Sequence, residues 1–158
     1  MKKRISLSMK LVLVVLAGIA IFLILWDPIW EKNAKGFTKP FNIISGDTAV
    51  IDDLSGFTQF EWDTLYSFEP YTPASKIYEV VGYKWTIIRP TVNENMNQVV
   101  FLHNGKVVCY IDGYPSKYKV YFKFSGYEDH YIKLTRSDKL TFRMTIKDNG
   151  IREFEYLD

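Results

Sequence analysis

The sequence has little of the chemistry on which most catalytic and metal sites depend. It contains one cysteine, which excludes an intramolecular disulfide, and two histidines, too few for the usual metal site of clustered His and Cys. It also lacks a glycine-rich phosphate loop, a Gly-x-Ser-x-Gly turn and a pair of histidines spaced for one helix face. We therefore predict no catalytic residues, no metal and no cofactor.

Clustered positive charge is scarce once the N-terminus is set aside. Four of the 20 basic residues and one of the 18 acidic residues lie in residues 1–30, which leaves 16 basic and 17 acidic residues in the remainder. Nucleic-acid binding needs clustered lysine and arginine to neutralise phosphates, so this balance argues against a polyanion-binding domain. We predict no nucleic-acid partner.

What the sequence does have is one long apolar run, from Leu11 to Trp26, without a polar side chain. As a helix this run spans about 24 Å, short of the ~30 Å hydrocarbon core, and extension back to Ile5 supplies the missing length. Trp30 suits an aromatic belt, and four basic residues precede the run. The pattern predicts an uncleaved transmembrane anchor over residues 11–30, with the lipid bilayer as the partner of residues 11–26.

Two other interpretations of the run stay open. A buried core helix is one, although an all-round apolar surface beside a basic tail favours an anchor. A cleaved signal peptide is the other, but the only candidate pair of small residues for positions −3 and −1 of a cleavage site, Gly18 and Ala20, lies inside the run. The basic cluster predicts a cytoplasmic tail at residues 1–10. The predicted location is the cell membrane of a bacterium, single-pass, with residues 31–158 extracytoplasmic.

The rest of the chain predicts a tether and one domain. Residues 31–46 are charged and contain two glycines and a proline, which is typical of a tether. Residues 47–158 are enough for a single extracytoplasmic domain. Strands are predicted at 48–51, 118–124 and 130–134, and one helix between Thr72 and Gly82.

The clearest strand signal is a hairpin around Asn104-Gly105, a dipeptide that favours a type I′ turn. A two-residue loop pairs His103 with Lys106, and both faces of the hairpin are apolar, so we expect strands covered on both sides. Continuing this register, one face of the hairpin carries the expected core residues Val100, Leu102, Val107, Cys109 and Ile111.

A second hairpin ends the chain, with its turn at Asp148-Asn149-Gly150. A three-residue loop sets Met144 opposite Phe154 and Arg143 opposite Glu155, so packing and charge favour it over a two-residue loop. The predicted fold class is α+β. An N-terminal transmembrane helix is followed by one domain with a mostly antiparallel β-sheet and one short helix.

An aromatic stretch from Phe57 to Thr72 contains most of the candidate site. With strand alternation, its aromatic side chains share one face, which is either a core stripe or a groove for a ligand or peptide. In the core interpretation, the Asp63 carboxylate caps or bonds a nearby backbone group. The candidate residues for ligand or partner binding are Trp62, Asp63, Tyr66, Tyr71 and Tyr110.

Part of this stretch also carries a family resemblance. The run FEWDTLYSFEPYT, Phe60 to Thr72, resembles a pattern in small, uncharacterised, membrane-anchored or exported bacterial proteins. Their pattern continues with a helix, a glycine and a Phe-x-x-x-Gly-Lys-Val-Val hairpin, which Phe101 to Val108 matches. The resemblance covers about residues 50–112. It implies location and fold, and no particular activity.

The expected function is that of a non-enzymatic, membrane-anchored module that binds an unknown envelope protein or ligand. Two alternatives stay open: an envelope hydrolase built on carboxylates near Glu61 and Asp63, and a structural or assembly role in the membrane. The positions of the carboxylates discriminate between chemistry and binding. Carboxylates that converge in a cleft favour a hydrolase, whereas carboxylates that cap backbone groups favour a binding module.

Overall fold

The structure is a computed structural model that describes residues 7–25, 28–37 and 48–157. It contains helices and strands in an α+β arrangement. The helices are α1 (Leu7–Leu25), α2 (Ile29–Gly36), α3 (Leu54–Phe57) and α4 (Ala74–Val81). The strands are β1 (Thr48–Ile51), β2 (Thr64–Phe68), β3 (Asn97–His103), β4 (Lys106–Gly113), β5 (Val120–Lys123), β6 (Tyr131–Thr135), β7 (Phe142–Ile146) and β8 (Arg152–Tyr156).

The prediction of a transmembrane anchor is wrong. Over residues 7–25, 28–37 and 48–157, no helix is long and apolar enough to cross a membrane. Lys10 lies near the start of α1, so the uninterrupted apolar part of that helix runs from Leu11 to Leu25 and extends about 22 Å, against a ~30 Å hydrocarbon core. The proposed extension to Ile5 lies outside the described residues. The same finding overturns the predicted single-pass cell-membrane localisation.

The strands form two sheets rather than the one that we predicted. The first sheet has the order β1-β7-β8-β5 and the second the order β4-β3-β2-β6. Neighbours are antiparallel except β5 and β8, which are parallel. Strands of both sheets contribute to one buried cluster, so the sheets pack face to face. The other face of the second sheet packs against α4 and the segment after it in a second cluster.

The first part of the predicted tether is helical and packed. Ala34 and Phe37 at the end of α2 are buried in the cluster between the sheets. The Phe37 ring lies 5.5 Å from the Phe122 ring, centroid to centroid. The Asn33 side chain donates a hydrogen bond of 2.8 Å to the Val108 carbonyl. The chain up to Phe37 therefore packs with the two sheets, and residues 38–47 lie outside the described residues.

The β3–β4 hairpin has the predicted turn but not the predicted faces. Phe101 pairs with Cys109 and Leu102 with Val107, so Val108 is an extra residue, a β-bulge. Beyond a bulge every side chain changes face, because side chains alternate along a strand. Val99, Phe101, Cys109 and Ile111 therefore face the cluster between the sheets, and Val100, Leu102, Val107 and Tyr110 face the second cluster.

Other local predictions are confirmed. The C-terminal hairpin has Met144 opposite Phe154 and Arg143 opposite Glu155, as the three-residue loop requires. Gly150 has a φ of 76°, a conformation that glycine adopts at little cost. The predicted helix is α4, and Gly82 follows it with a φ of 90°.

Candidate functional site

The structure does not bring the five predicted binding residues together. Trp62 is buried in the cluster between the sheets, whereas Tyr66 and Tyr110 are buried in the second cluster, on the opposite face of the second sheet. Tyr71 is 59% exposed. The strand alternation assumed from Phe57 onward fails because β2 begins only at Thr64. The aromatic stretch thus contributes to two separate cores and not to one groove.

Tyr110 has a structural role in the second cluster. Its hydroxyl accepts hydrogen bonds from the Arg89 backbone N–H at 3.2 Å and from Gln98 Nε2 at 3.1 Å. Burial raises the pKa of the phenol well above its ordinary value, so it stays protonated at neutral pH. Tyr110 thereby fixes the segment after α4 on the face of the second sheet.

Asp63 caps the turn of the β3–β4 hairpin. One carboxylate oxygen accepts from the Asn104 backbone N–H at 2.6 Å and the other from the Thr64 hydroxyl at 2.9 Å. The Glu61 side chain is 83% exposed, and its Oε2 lies 3.6 Å from His103 Nε2. Asp112 lies at the far end of β4, about 20 Å along the strand from this turn. These carboxylates are capping or splayed, the arrangement that favours binding over hydrolysis.

Cys109 is not placed for nucleophilic chemistry. It is fully buried between the sheets, and burial raises the pKa of its thiol well above the usual value. The thiolate is the reactive form of cysteine, so the protonated thiol acts as a small apolar side chain. Among the described residues no group of three or more His, Cys, Asp and Glu side chains is arranged to hold a metal ion.

A cleft of about 180 Å³ lies where one end of the second sheet meets the edge of the first. We call it the inter-sheet cleft. The second sheet contributes the end of β2 and the start of β3, and the first sheet contributes β5. The lining residues with the most bearing on ligand binding are Ser67, Asn97, Gln98, Phe122, Phe124 and Tyr127.

Three of these residues are polar and almost fully buried: Ser67 and Asn97 are each 3% exposed, and Gln98 is 2% exposed. Asn97 Nδ2 donates to the Val120 carbonyl at 2.8 Å, and its Oδ1 accepts from the Phe122 N–H at 2.9 Å. The Gln98 side chain points to the other face of the sheet, where its Nε2 donates to the Tyr110 hydroxyl and its Oε1 has no hydrogen-bond partner among the described residues. Burying polar side chains is costly unless they are bonded, so the concentration of Asn97 and Ser67 in the wall of a cleft indicates a ligand site.

Hydroxyl groups add to the polar wall. The Ser67 and Tyr127 oxygens lie 3.2 Å apart, and either hydroxyl can donate to the other. Burial raises the pKa of the Tyr127 phenol, so that phenol keeps its proton at neutral pH. Because the pair shares one of two hydrogens, a second O–H remains to donate to a bound group.

The loops beside the cleft hold strained backbone. Tyr71, Asp129 and His130 have φ values of 67°, 50° and 71°, although none is glycine. The Glu69 N–H of one loop donates to the His130 carbonyl of the other at 2.9 Å, and Lys76 Nζ of α4 lies 2.6 Å from Asp129 Oδ2. Strained non-glycine residues concentrate at binding and catalytic sites, which supports this end of the second sheet as the functional one.

We expect Tyr71→Gly to raise the free energy of unfolding by about 0.5 kcal/mol, because glycine removes a left-handed strain of ~1–2 kcal/mol and loses more chain entropy on folding. The Tyr71 side chain is 59% exposed, so little packing is lost. Urea denaturation measures the change. Tyr114→Gly is the control, because Tyr114 is similarly exposed and not strained, and it should destabilise by ~0.5–1 kcal/mol. Equal losses of stability in the two variants would contradict the presence of backbone strain at Tyr71.

Few features of the sequence point to the inter-sheet cleft. The predicted site lacks four of the residues that line it: Ser67, Asn97, Gln98 and Tyr127. One signal is present: Asn97 and Gln98 begin an apolar strand that is covered on both faces. Polar side chains in such a strand need partners inside the protein or a ligand. Of the predicted site residues, only Tyr71 lies in a loop beside the cleft.

The fold and site together define the class: a two-sheet α+β domain with a polar cleft between the edge of one sheet and the end of the other. In comparisons with known proteins, no family model, no curated protein and no solved structure matches the chain.

Proposed function

We propose that this chain is a non-enzymatic binding module and that the inter-sheet cleft is its ligand site. The observation that carries the proposal is the convergence of the buried Ser67 and Asn97 side chains and the Tyr127 hydroxyl on the wall of one cleft. Burying polar side chains costs stability, and proteins accept such costs at functional sites, which supports a ligand for this cleft.

The size of the cleft limits the ligand. A volume of about 180 Å³ holds roughly six water molecules at ~30 Å³ each, below the ~300–1,000 Å³ of pockets for drug-sized molecules. This space suits a small polar group or a short piece of polypeptide rather than a nucleotide or a large cofactor. The groups that a hydrolase would use lie elsewhere, since Asp63 caps the β3–β4 turn and Glu61 is exposed.

A direct test uses N-methylacetamide, which has the one donor and one acceptor of a peptide bond. Titration into the ¹⁵N-labelled full chain should shift amide resonances of residues that line the cleft, above all Asn97, Gln98 and Phe124. Shifts scattered over the surface, or confined to the region of Asp63 and His103, would contradict the proposal.

A hydroxyl deletion makes this test quantitative. We expect Tyr127→Phe to weaken N-methylacetamide binding about fivefold, the effect of one hydrogen bond of ~1 kcal/mol. The matched control is Tyr114→Phe, since Tyr114 is an exposed tyrosine that does not line the cleft, and it should bind like the parent chain. Equal affinities for both variants would show that the Tyr127 hydroxyl takes no part.

A further inference from the structure

We infer that the occupant of the inter-sheet cleft is an extended peptide segment of a partner protein, which adds to the free edge of β5 as a parallel strand. This inference rests on the proposed function and names the class of ligand. It follows from the direction in which the backbone groups of β5 point, from the bonds that Asn97 makes with them and from the closed state of the β6 edge.

β5 is the edge strand of the first sheet, and every second residue directs its backbone groups away from β8. The Arg152 N–H donates to the Lys119 carbonyl at 2.9 Å, which places Lys119 among the residues that bond to β8. In a parallel ladder the bonding residues alternate, so Tyr121 and Lys123 also face β8. Val120, Phe122 and Phe124 therefore present their N–H and C=O groups on the opposite side, toward the cleft.

The Asn97 side chain already occupies the first position on this side. Its amide donates to the Val120 carbonyl and accepts from the Phe122 N–H, as one residue of a parallel strand opposite Tyr121 would do. The next position in the same ladder is the Phe122 carbonyl together with the Phe124 N–H. Within the described part of the chain, neither of these two groups has a hydrogen-bond partner.

This pattern favours a parallel strand over an antiparallel one. In an antiparallel ladder one incoming residue bonds both the N–H and the C=O of the same edge residue. At Phe122 that arrangement is blocked, because Asn97 holds the N–H. A parallel strand instead places one residue between the Phe122 carbonyl and the Phe124 N–H, which are both free. The hydroxyls of Ser67 and Tyr127, also in the cleft wall, can bond peptide groups that point away from β5.

The edge of the second sheet at β6 is closed, in contrast to β5. Glu128 exchanges two backbone hydrogen bonds with Tyr131, and Asp138 Oδ2 accepts from the Thr135 N–H at 2.6 Å. Only Lys133, with its exposed cationic side chain, remains between these blocked positions, and lysine on an edge strand discourages pairing. Strand addition is thus open at β5, where the cleft lies.

The experiment uses a library of acetylated, amidated heptapeptides randomised over Thr, Val, Ser, Tyr and Asn. Backbone pairing tolerates many sequences, so the library should shift the Phe124 amide resonance of the ¹⁵N-labelled full chain. It should also slow hydrogen exchange at that amide at least tenfold. The same library with every peptide nitrogen methylated should do neither. Equal effects of the two libraries, or no effect of the first, would overturn the inference.

Two variants at one position isolate the backbone group. Phe124→Ala keeps the N–H and Phe124→Pro removes it, while both lose the same ring. Proline is tolerated on an edge strand where the missing N–H faces outward. We expect the Ala variant to bind the library and the Pro variant to bind at least tenfold more weakly. Equal binding by the two variants would refute pairing at Phe124.

Strand direction has its own measurement. A nitroxide on the C-terminus of the peptides should broaden resonances near Tyr127, and a nitroxide on the N-terminus those near Lys119. The reverse order would refute the parallel orientation. Binding of N-methylacetamide separates the two proposals. If it binds in the cleft and the peptides do not pair with β5, only this inference falls; if neither binds, both fall.

Discussion

Replacing Trp62 with alanine is expected to lower the free energy of unfolding by about 3–5 kcal/mol, the range for removing a large aromatic side chain from a core. Trp62 has no exposed surface, and its ring lies edge-on to Phe101 with the centroids 5.3 Å apart. Its indole N–H also donates to the Thr58 hydroxyl at 2.9 Å. Because domains are stable by only ~5–15 kcal/mol, this loss is a large part of the total.

Urea denaturation followed by circular dichroism measures this effect. Tyr114→Ala is the control, because Tyr114 is 52% exposed and its loss should change stability by no more than ~0.5 kcal/mol. A Trp62→Ala chain as stable as this control would contradict the buried position and revive the groove interpretation of the aromatic stretch.

Replacing Asn97 with alanine is expected to lower the free energy of unfolding by about 2–4 kcal/mol. The substitution removes two hydrogen bonds and leaves the Val120 carbonyl and the Phe122 N–H without their partner, at ~1–3 kcal/mol for each unsatisfied buried group. Val120 and Phe122 are both buried, so water can replace the lost Asn97 side-chain amide only where the cleft admits water. Hydrogen exchange at the Phe122 amide should become faster than in the parent chain.

Asn95 provides a matched control two residues away. It is exposed and precedes β3, so Asn95→Ala should change stability by no more than ~0.5 kcal/mol. Equal stability of the Asn97 and Asn95 variants, with an unchanged exchange rate at Phe122, would mean that Asn97 does not occupy the edge of β5. The proposed register for an incoming peptide would then have no basis.

Local chemistry determined the parts of the fold that the sequence predicted well. The turn residues Asp148-Asn149-Gly150 set the register of the last hairpin, because only one loop length pairs apolar with apolar and Arg143 with Glu155. Gly82 ended α4 because glycine adopts positive φ readily. Thr48–Ile51 was predicted as a strand with the bounds that β1 has. Each of these features depends on residues close together in the chain.

The N-terminal prediction failed for a reason of length. The prediction started from a run of sixteen apolar residues. It needed an extension back to Ile5 for the helix to reach the ~30 Å of a bilayer core. Over the described residues no helix meets that requirement. Composition identified an apolar helix here, and only the bounds of that helix in the structure tested whether it could span a membrane.

By itself, the sequence determined the turns, the helix end at Gly82 and the apolar character of the β3 and β4 strands. Tertiary structure decided which face of those strands meets which core, because one bulge at Val108 reverses the alternation. It also decided the cleft, whose polar residues Ser67, Asn97 and Tyr127 are far apart in the chain. Turn preferences act over a few neighbouring residues, whereas a sheet edge and a cleft exist only after distant strands have packed.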